Sequence, residues 1–122
     1  MAEGLLRYIA GNRYRIFSAG NHPSSVHPNA IAVMKELKID ISNHTSEHID
    51  KYIDKKIDIV ITVCDNAKKE CPVFPNPINR IHWSIEDPFV DWDFNPNHLQ
   101  IFRKTRKKIQ NHIEIFLKME SL

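Results

Sequence analysis

Apolar residues recur along this chain at two periods, and the switches between them mark out its elements. Over residues 1–10, Met1, Leu5, Leu6, Ile9 and Ala10 fall at helical spacing, and Gly11-Asn12 supplies a C-terminal stop. Arg13-Tyr14-Arg15-Ile16-Phe17-Ser18 reads as a short strand ending at Ala19-Gly20. After a loop holding His22, Pro23 and Pro28, residues 29–37 form a second helix with Ile31, Val33, Met34 and Leu37 apolar. Ser46 is placed as the N-cap of a third helix through Ile49, Tyr52 and Ile53. Ile57-Asp58-Ile59-Val60-Ile61-Thr62-Val63 is the strongest strand, nearly continuous in β-branched residues, the pattern of a parallel strand covered on both faces. Arg80-Ile81-His82-Trp83 is a weaker one. A final helix spans 97–117, with Leu99, Phe102, Ile109, Ile113 and Phe116 or Leu117 turned inward.

Strands alternating with helices predict an α/β fold built on a parallel sheet. Three strands are few for it. A strand buried on both faces needs hydrogen-bonding neighbours on both edges, and the first helix opens with no residue ahead of Met1 to cap it. The pattern therefore predicts that an upstream element is missing.

At 122 residues, 42% of them hydrophobic, the chain is sized for one domain over residues 1–122. A net charge of +2 gives no argument for nucleic acid or for a membrane surface. Arg103, Lys104, Arg106, Lys107 and Lys108 cluster on a helical pattern whose apolar positions face elsewhere, so they read as a solvated face. No stretch reaches the roughly 18 apolar residues of a membrane span, and no signal-peptide pattern opens the chain; a cytoplasmic protein is expected. Two cysteines are too few for a secreted disulfide framework and point to redox, metal or catalytic chemistry, or to none.

Those cysteines sit in Val63-Cys64-Asp65-Asn66-Ala67-Lys68-Lys69-Glu70-Cys71-Pro72. Cys64 falls where the strongest strand ends, the usual place for function in an open α/β sheet. A helix begun at Asp65, with Lys68 and Lys69 near, would favour the thiolate. At the ends of a regular helix the pair would stand about 10.5 Å apart, whereas a disulfide needs Cα atoms within about 7 Å. They can therefore bridge only if the segment between them unwinds or loops out. Spacing alone leaves two unrelated thiols as the plain alternative. Their separation is not that of a structural zinc site, and His44 and His48, with a cap between them, do not share a helical face. Asp87, after Glu86 and before Pro88, is either a solvated turn residue or a general acid over the sheet edge.

Taken in order, Met1-Ala2-Glu3-Gly4, Ser18-Ala19-Gly20, Ile39-Asp40-Ile41-Ser42-Asn43-His44, Ile61-Thr62-Val63-Cys64, Cys71-Pro72, His82-Trp83 and Glu86-Asp87-Pro88 resemble the thioredoxin-coupled arsenate reductases. That resemblance implies a three-layer α/β sandwich of the low-molecular-weight protein tyrosine phosphatase type. It also implies a mechanism. A first cysteine, in a phosphate-cradling loop ending in Arg-Ser, attacks arsenate while an aspartate at the position of Asp87 protonates the leaving oxygen. The cysteine matching Cys64 then attacks the first as arsenite departs. The one matching Cys71 closes a Cys64–Cys71 disulfide for thioredoxin to reduce. Glu3 and Ser18 match positions that help bind a structural potassium ion in some relatives, while Glu47 stands where an aspartate is expected.

The departure from the pattern lies ahead of Met1. In the family, the central first strand and the nucleophile loop immediately precede Met-Ala-Glu-Gly; here they are absent. Without them there is no nucleophile, no nest of backbone N–H groups and no guanidinium clamp. The expectation is an N-terminally shortened reductase that is inactive as it stands. The alternative is a non-catalytic relative, with Cys64 and Cys71 as a redox switch, completed by a strand-donating partner or a domain-swapped dimer. A tyrosine phosphatase would need the same absent loop and leaves Cys64 and Cys71 unused.

Overall fold

The computed structural model describes residues 1–20, 26–45, 47–63, 79–89 and 91–121. The chain resolves into two compact units: Met1–Phe17, Ser25–His44 and Pro88–Leu122 form one, and Ser18–Ser24 with Thr45–Asp87 the other.

The first unit is helical. Helix α1 (Ala2–Ala10) buries Gly4, Leu5 and Ala10, carries a Glu3–Arg7 ion pair at 2.9 Å, and gives way to a 3-10 turn over Gly11–Arg13. Helix α2 (Pro28–Lys35) starts with proline in its first turn, where the missing N–H costs nothing, and His27 caps it by accepting the Asn29 N–H at Nδ1. Its inward face is Asn29, Ala30, Val33 and Met34. The long helix α3 (Leu99–Glu120) buries Phe102, Thr105, Ile109, Ile113, Phe116 and Leu117 at i, i+3, i+4 spacing, as its sequence predicts. Leu99 is only half-buried, and Thr105 joins the inward face instead, satisfied by the Ile101 carbonyl at 3.2 Å.

Two features lock the helical unit. Gly4 lies so close to Ile41 that a Cβ there would meet Ile41 Cγ2 at 2.6 Å. Arg103 grips Glu36 through Nε and Nη2, and Arg106 reaches both Glu36 and the Val33 carbonyl, tying α3 to α2. The guanidinium of Arg103, then that of Arg106, holds the Glu36 carboxyl down at about 2. Where α2 ends, Ile39 N–H bonds to Met34 O and Lys38 N–H to Lys35 O, with Lys38 at φ +62°. That is a Schellman closure, with lysine in the left-handed position usually given to glycine and with buried Met34 and Ile39 as its apolar partners.

Among the described residues, two parallel strand pairs belong to the second unit. Strand β1 (Ala19–Gly20) pairs with β2 (Glu47–His48), and β3 (Ile59–Val63) with β4 (Asn79–Trp83). Three expectations need correcting. Residues 14–18, predicted as strand, lie outside any ladder, and pairing starts only at Ala19. The third helix is a 3-10 turn over Ile49–Tyr52, capped by His48 accepting the Asp50 N–H; Ser46, the expected cap, lies outside the described residues. β3 is half-buried over 59–62 and exposed at Val63 rather than covered throughout, and among the described residues its strand neighbour is β4.

Candidate active site

Parallel pairing decides which residues leave the sheet together. In the β3–β4 register Ile61 stands opposite Ile81, Thr62 opposite His82, and Val63 opposite Trp83. The C-terminal ends of both strands therefore open on one edge, the edge where open α/β sheets place their chemistry. One step before it, Thr62 Oγ1 and His82 Nδ1 hydrogen-bond at 2.6 Å, cross-linking the two strand ends through side chains as well as backbone.

Beyond β4 the chain runs without regular structure. Trp83 and Ile85 are buried, whereas Ser84, Glu86 and Asp87 face solvent. Trp83 and Ile85 anchor this strand exit by two apolar side chains, and Asp87, four residues past the sheet edge, is exposed. The two cysteines expected to work with it, Cys64 and Cys71, lie outside the described residues; Val63, the residue before Cys64, is the last described residue of β3.

Glu3 and Ser18 are the positions named for potassium; Glu3 Oε2 accepts a hydrogen bond from Arg7 Nε at 2.9 Å. The Ser18 carbonyl accepts the Glu47 N–H at the start of the β1–β2 pair. Among the described residues no group of three or more His, Cys, Asp or Glu side chains could hold a metal ion.

The segment after Asp87 is held in a way the sequence reading did not single out. Phe89, Asp91, Trp92 and Asn95 lie against the residues that open α2. His27 Nε2 meets the Asp91 carbonyl, and Asn29 and Asn95 bond to each other twice. The local signal was present: His27-Pro28-Asn29 and Asn95-Pro96-Asn97 share one pattern, in which the residue before proline accepts the N–H two residues on.

Residues 1–122 match the family model of the low molecular weight phosphotyrosine protein phosphatases, and the chain belongs to that family. Within it, the similarity is to arsenate reductases. The arsenate reductase of Oceanobacillus iheyensis is 41% identical over 118 residues, covering 97% of this chain and 85% of that protein. Arsenate reductase of Bacillus subtilis is 36% identical over 116 residues, covering 95% and 84%. Among solved structures, an arsenate reductase in its reduced state superposes with a TM-score of 0.75 at 31% identity, covering 97% of this chain and 86% of that one. An arsenate reductase in its phosphate-binding state gives 0.75 at 30% identity, with the same coverage. The α/β fold and short parallel sheet expected from the sequence are those of this family.

Proposed function

We propose that this chain is the body of an arsenate reductase working through a cysteine relay. The observation that carries the reading is 41% identity along 97% of the chain to a protein of that activity. The parallel β3–β4 register supports it, because it sends the chain toward Cys64 and toward Asp87 from one sheet edge.

In the proposed reaction a thiolate outside these 122 residues displaces an arsenate oxygen, which leaves as water once Asp87 has donated a proton. Cys64 thiolate then attacks that sulfur. The S–As bond breaks with its electron pair left on arsenic, so arsenic goes from +5 to +3 as the two sulfurs are oxidised to an S–S bond, and arsenite departs. Cys71 attacks Cys64 and releases the first thiol, leaving a Cys64–Cys71 disulfide. A thioredoxin dithiol reduces it by exchange. Such a cycle belongs in the cytoplasm, where thiols are kept reduced.

The two cysteines present do not lie in a Cys-x₅-Arg segment. The 122 residues alone are therefore proposed to be inactive, their anion loop and its strand having to be supplied. The assay is NADPH consumption with arsenate, thioredoxin and thioredoxin reductase. The chain alone should give none. A chain completed with a strand and a Cys-x₅-Arg loop should turn over, lose turnover in Cys64→Ser and Cys71→Ser, and slow by about 10²–10⁴ in Asp87→Asn. Turnover by the short chain would overturn its inactivity, and a completed chain without turnover would overturn the reductase reading.

Among the described residues β1–β2 and β3–β4 are two-stranded pairs, which supports one second reading, a non-catalytic redox relative completed by a partner's strand. Sedimentation distinguishes it: a monodisperse, cooperatively folding monomer removes the need for a partner.

A further inference from the structure

Residues 91–94, Asp-Trp-Asp-Phe, present two carboxylates and two large rings to water from one short stretch. Trp92 is 51% exposed, Phe94 is 53% exposed, and both aspartates are exposed. The stretch is held in place. The Asp91 carbonyl meets His27 Nε2, the Asp93 N–H donates to Asp91 Oδ1 at 3.0 Å, and Asn29 binds Asn95 twice. The Trp92 ring stacks on His27, and His27 stacks on the buried ring of Phe102. A tryptophan fixed with half its surface in water, between two aspartates, suits a surface that is itself apolar and cationic.

Helix α3 offers such a surface in the same compact unit. Of the five cations in residues 103–108, Arg103 and Arg106 bind Glu36. Lys104 and Lys108 are exposed and have no anionic partner among the described residues. At i, i+4 they share one side of the helix and repel each other, a cost that an incoming pair of carboxylates would remove. Ile101, at i−3 from Lys104, lies on that side and is 47% exposed. Side chains one turn apart stand about 5–6 Å from each other, and residues two apart in a chain span up to about 7 Å. Asp91 and Asp93 can therefore match Lys104 and Lys108.

We propose that these are the two halves of one contact between copies of this chain. Trp92 of one copy packs on Ile101 of a second, and Asp91 and Asp93 pair with the second copy's Lys104 and Lys108. The occupant is a second copy because one chain carries both surfaces, opposite in charge and each with exposed apolar area. The halves differ, so the contact runs head-to-tail unless a two-fold axis lets a pair of copies make it twice. Neither half includes Cys64, Cys71 or Asp87, and the contact stands apart from the reductase reading.

A contact this small falls below about 1,200 Å², the range of weak, transient association. Sedimentation of the 122-residue chain reads it. In about 20 mM salt the mean mass should rise with concentration, with a Kd on the order of 10⁻⁴ M. In about 500 mM salt the association should weaken about fivefold or more, because the charges are then screened within a few ångströms. Asp93→Lys should weaken it about fivefold or more, and so should Lys104→Glu combined with Lys108→Glu. Mixing these two variants in equal amounts should restore association, since each reversed surface then meets its complement. Trp92→Ala should weaken it about fivefold at unchanged net charge, which separates a packed contact from loose charge attraction.

A wild-type chain that stays monomeric at about 1 mM in low salt overturns the proposal. So do charge variants that associate as wild type does, variants that stay apart when mixed, and a Trp92→Ala chain that matches wild type. Association that ignores salt and survives Asp93→Lys would be strand exchange, and it would overturn this contact as well.

Discussion

Asn29 and Asn95 bind each other in both directions: Asn29 Nδ2 donates to the Asn95 carbonyl at 2.8 Å, and the Asn95 N–H donates to Asn29 Oδ1 at 2.9 Å. The asparagine side chain thus serves as a stand-in strand edge for one residue of a loop 66 positions away. Asn29→Ala should cost about 1–3 kcal/mol, since it leaves both Asn95 backbone groups without their partner. Asn29→Asp should cost at least as much, because it loses the donor and turns a buried negative charge on a carbonyl oxygen. Urea denaturation reads both, and an aspartate variant as stable as wild type would contradict the geometry.

Glu36 makes stability depend on acid. Its folded carboxyl titrates at about 2, below the ordinary 4.5, because Arg103 and then Arg106 bind the ionised form. The stabilisation is therefore complete above about pH 4.5 and is lost as pH falls from there toward 2. The carboxylate is 37% exposed, so the contribution should be on the order of 1 kcal/mol or less. Denaturation midpoints measured from pH 2 to 6 should fall less steeply in Glu36→Gln than in wild type.

Lys38 offers a stabilising change. Its φ of +62° closes the end of α2 in a region that costs an ordinary residue roughly 1–2 kcal/mol. Glycine removes that cost but gains freedom in the unfolded chain, so Lys38→Gly should add about 0.5–1 kcal/mol net. A lower melting temperature for the variant would show that the Lys38 side chain matters more than its backbone.

The relay predicts a bridge between Cys64 and Cys71. Mild oxidation should remove both titratable thiols of the monomer together, and neither Cys64→Ser nor Cys71→Ser should form an intramolecular bridge. Because a helical spacing would hold the pair about 10.5 Å apart, the oxidised and reduced forms should differ in hydrogen exchange between the two cysteines. Identical exchange in both forms would count against a switch.

Much of the fold was legible because local pattern and packing agree. The β-branched run before Cys64 holds β3, and Leu5 and Ala10 of α1, Val33 and Met34 of α2, and Phe102, Ile109, Ile113, Phe116 and Leu117 of α3 are buried where helical spacing put them. What was misread depended on a partner. Tyr14 to Ser18 has strand composition, but a strand exists only where another lies beside it, and the ladder begins at Ala19. The bonds of His27 to Asp91 and of Asn29 to Asn95 join polar groups far apart in sequence, which periodicity does not register. Asp87 could be named from its motif.

The glycine at position 4 constrains how this sequence can drift. In the middle of a helix, alanine would ordinarily be the improvement, worth about 1 kcal/mol. Here the nearest methyl of Ile41 occupies the space that alanine would fill. A saturation library at residue 4 should return glycine alone, and a second library with Ile41 shortened to valine or alanine should begin to admit alanine. Two positions 37 apart in sequence are thus inherited as one unit, free to change only together.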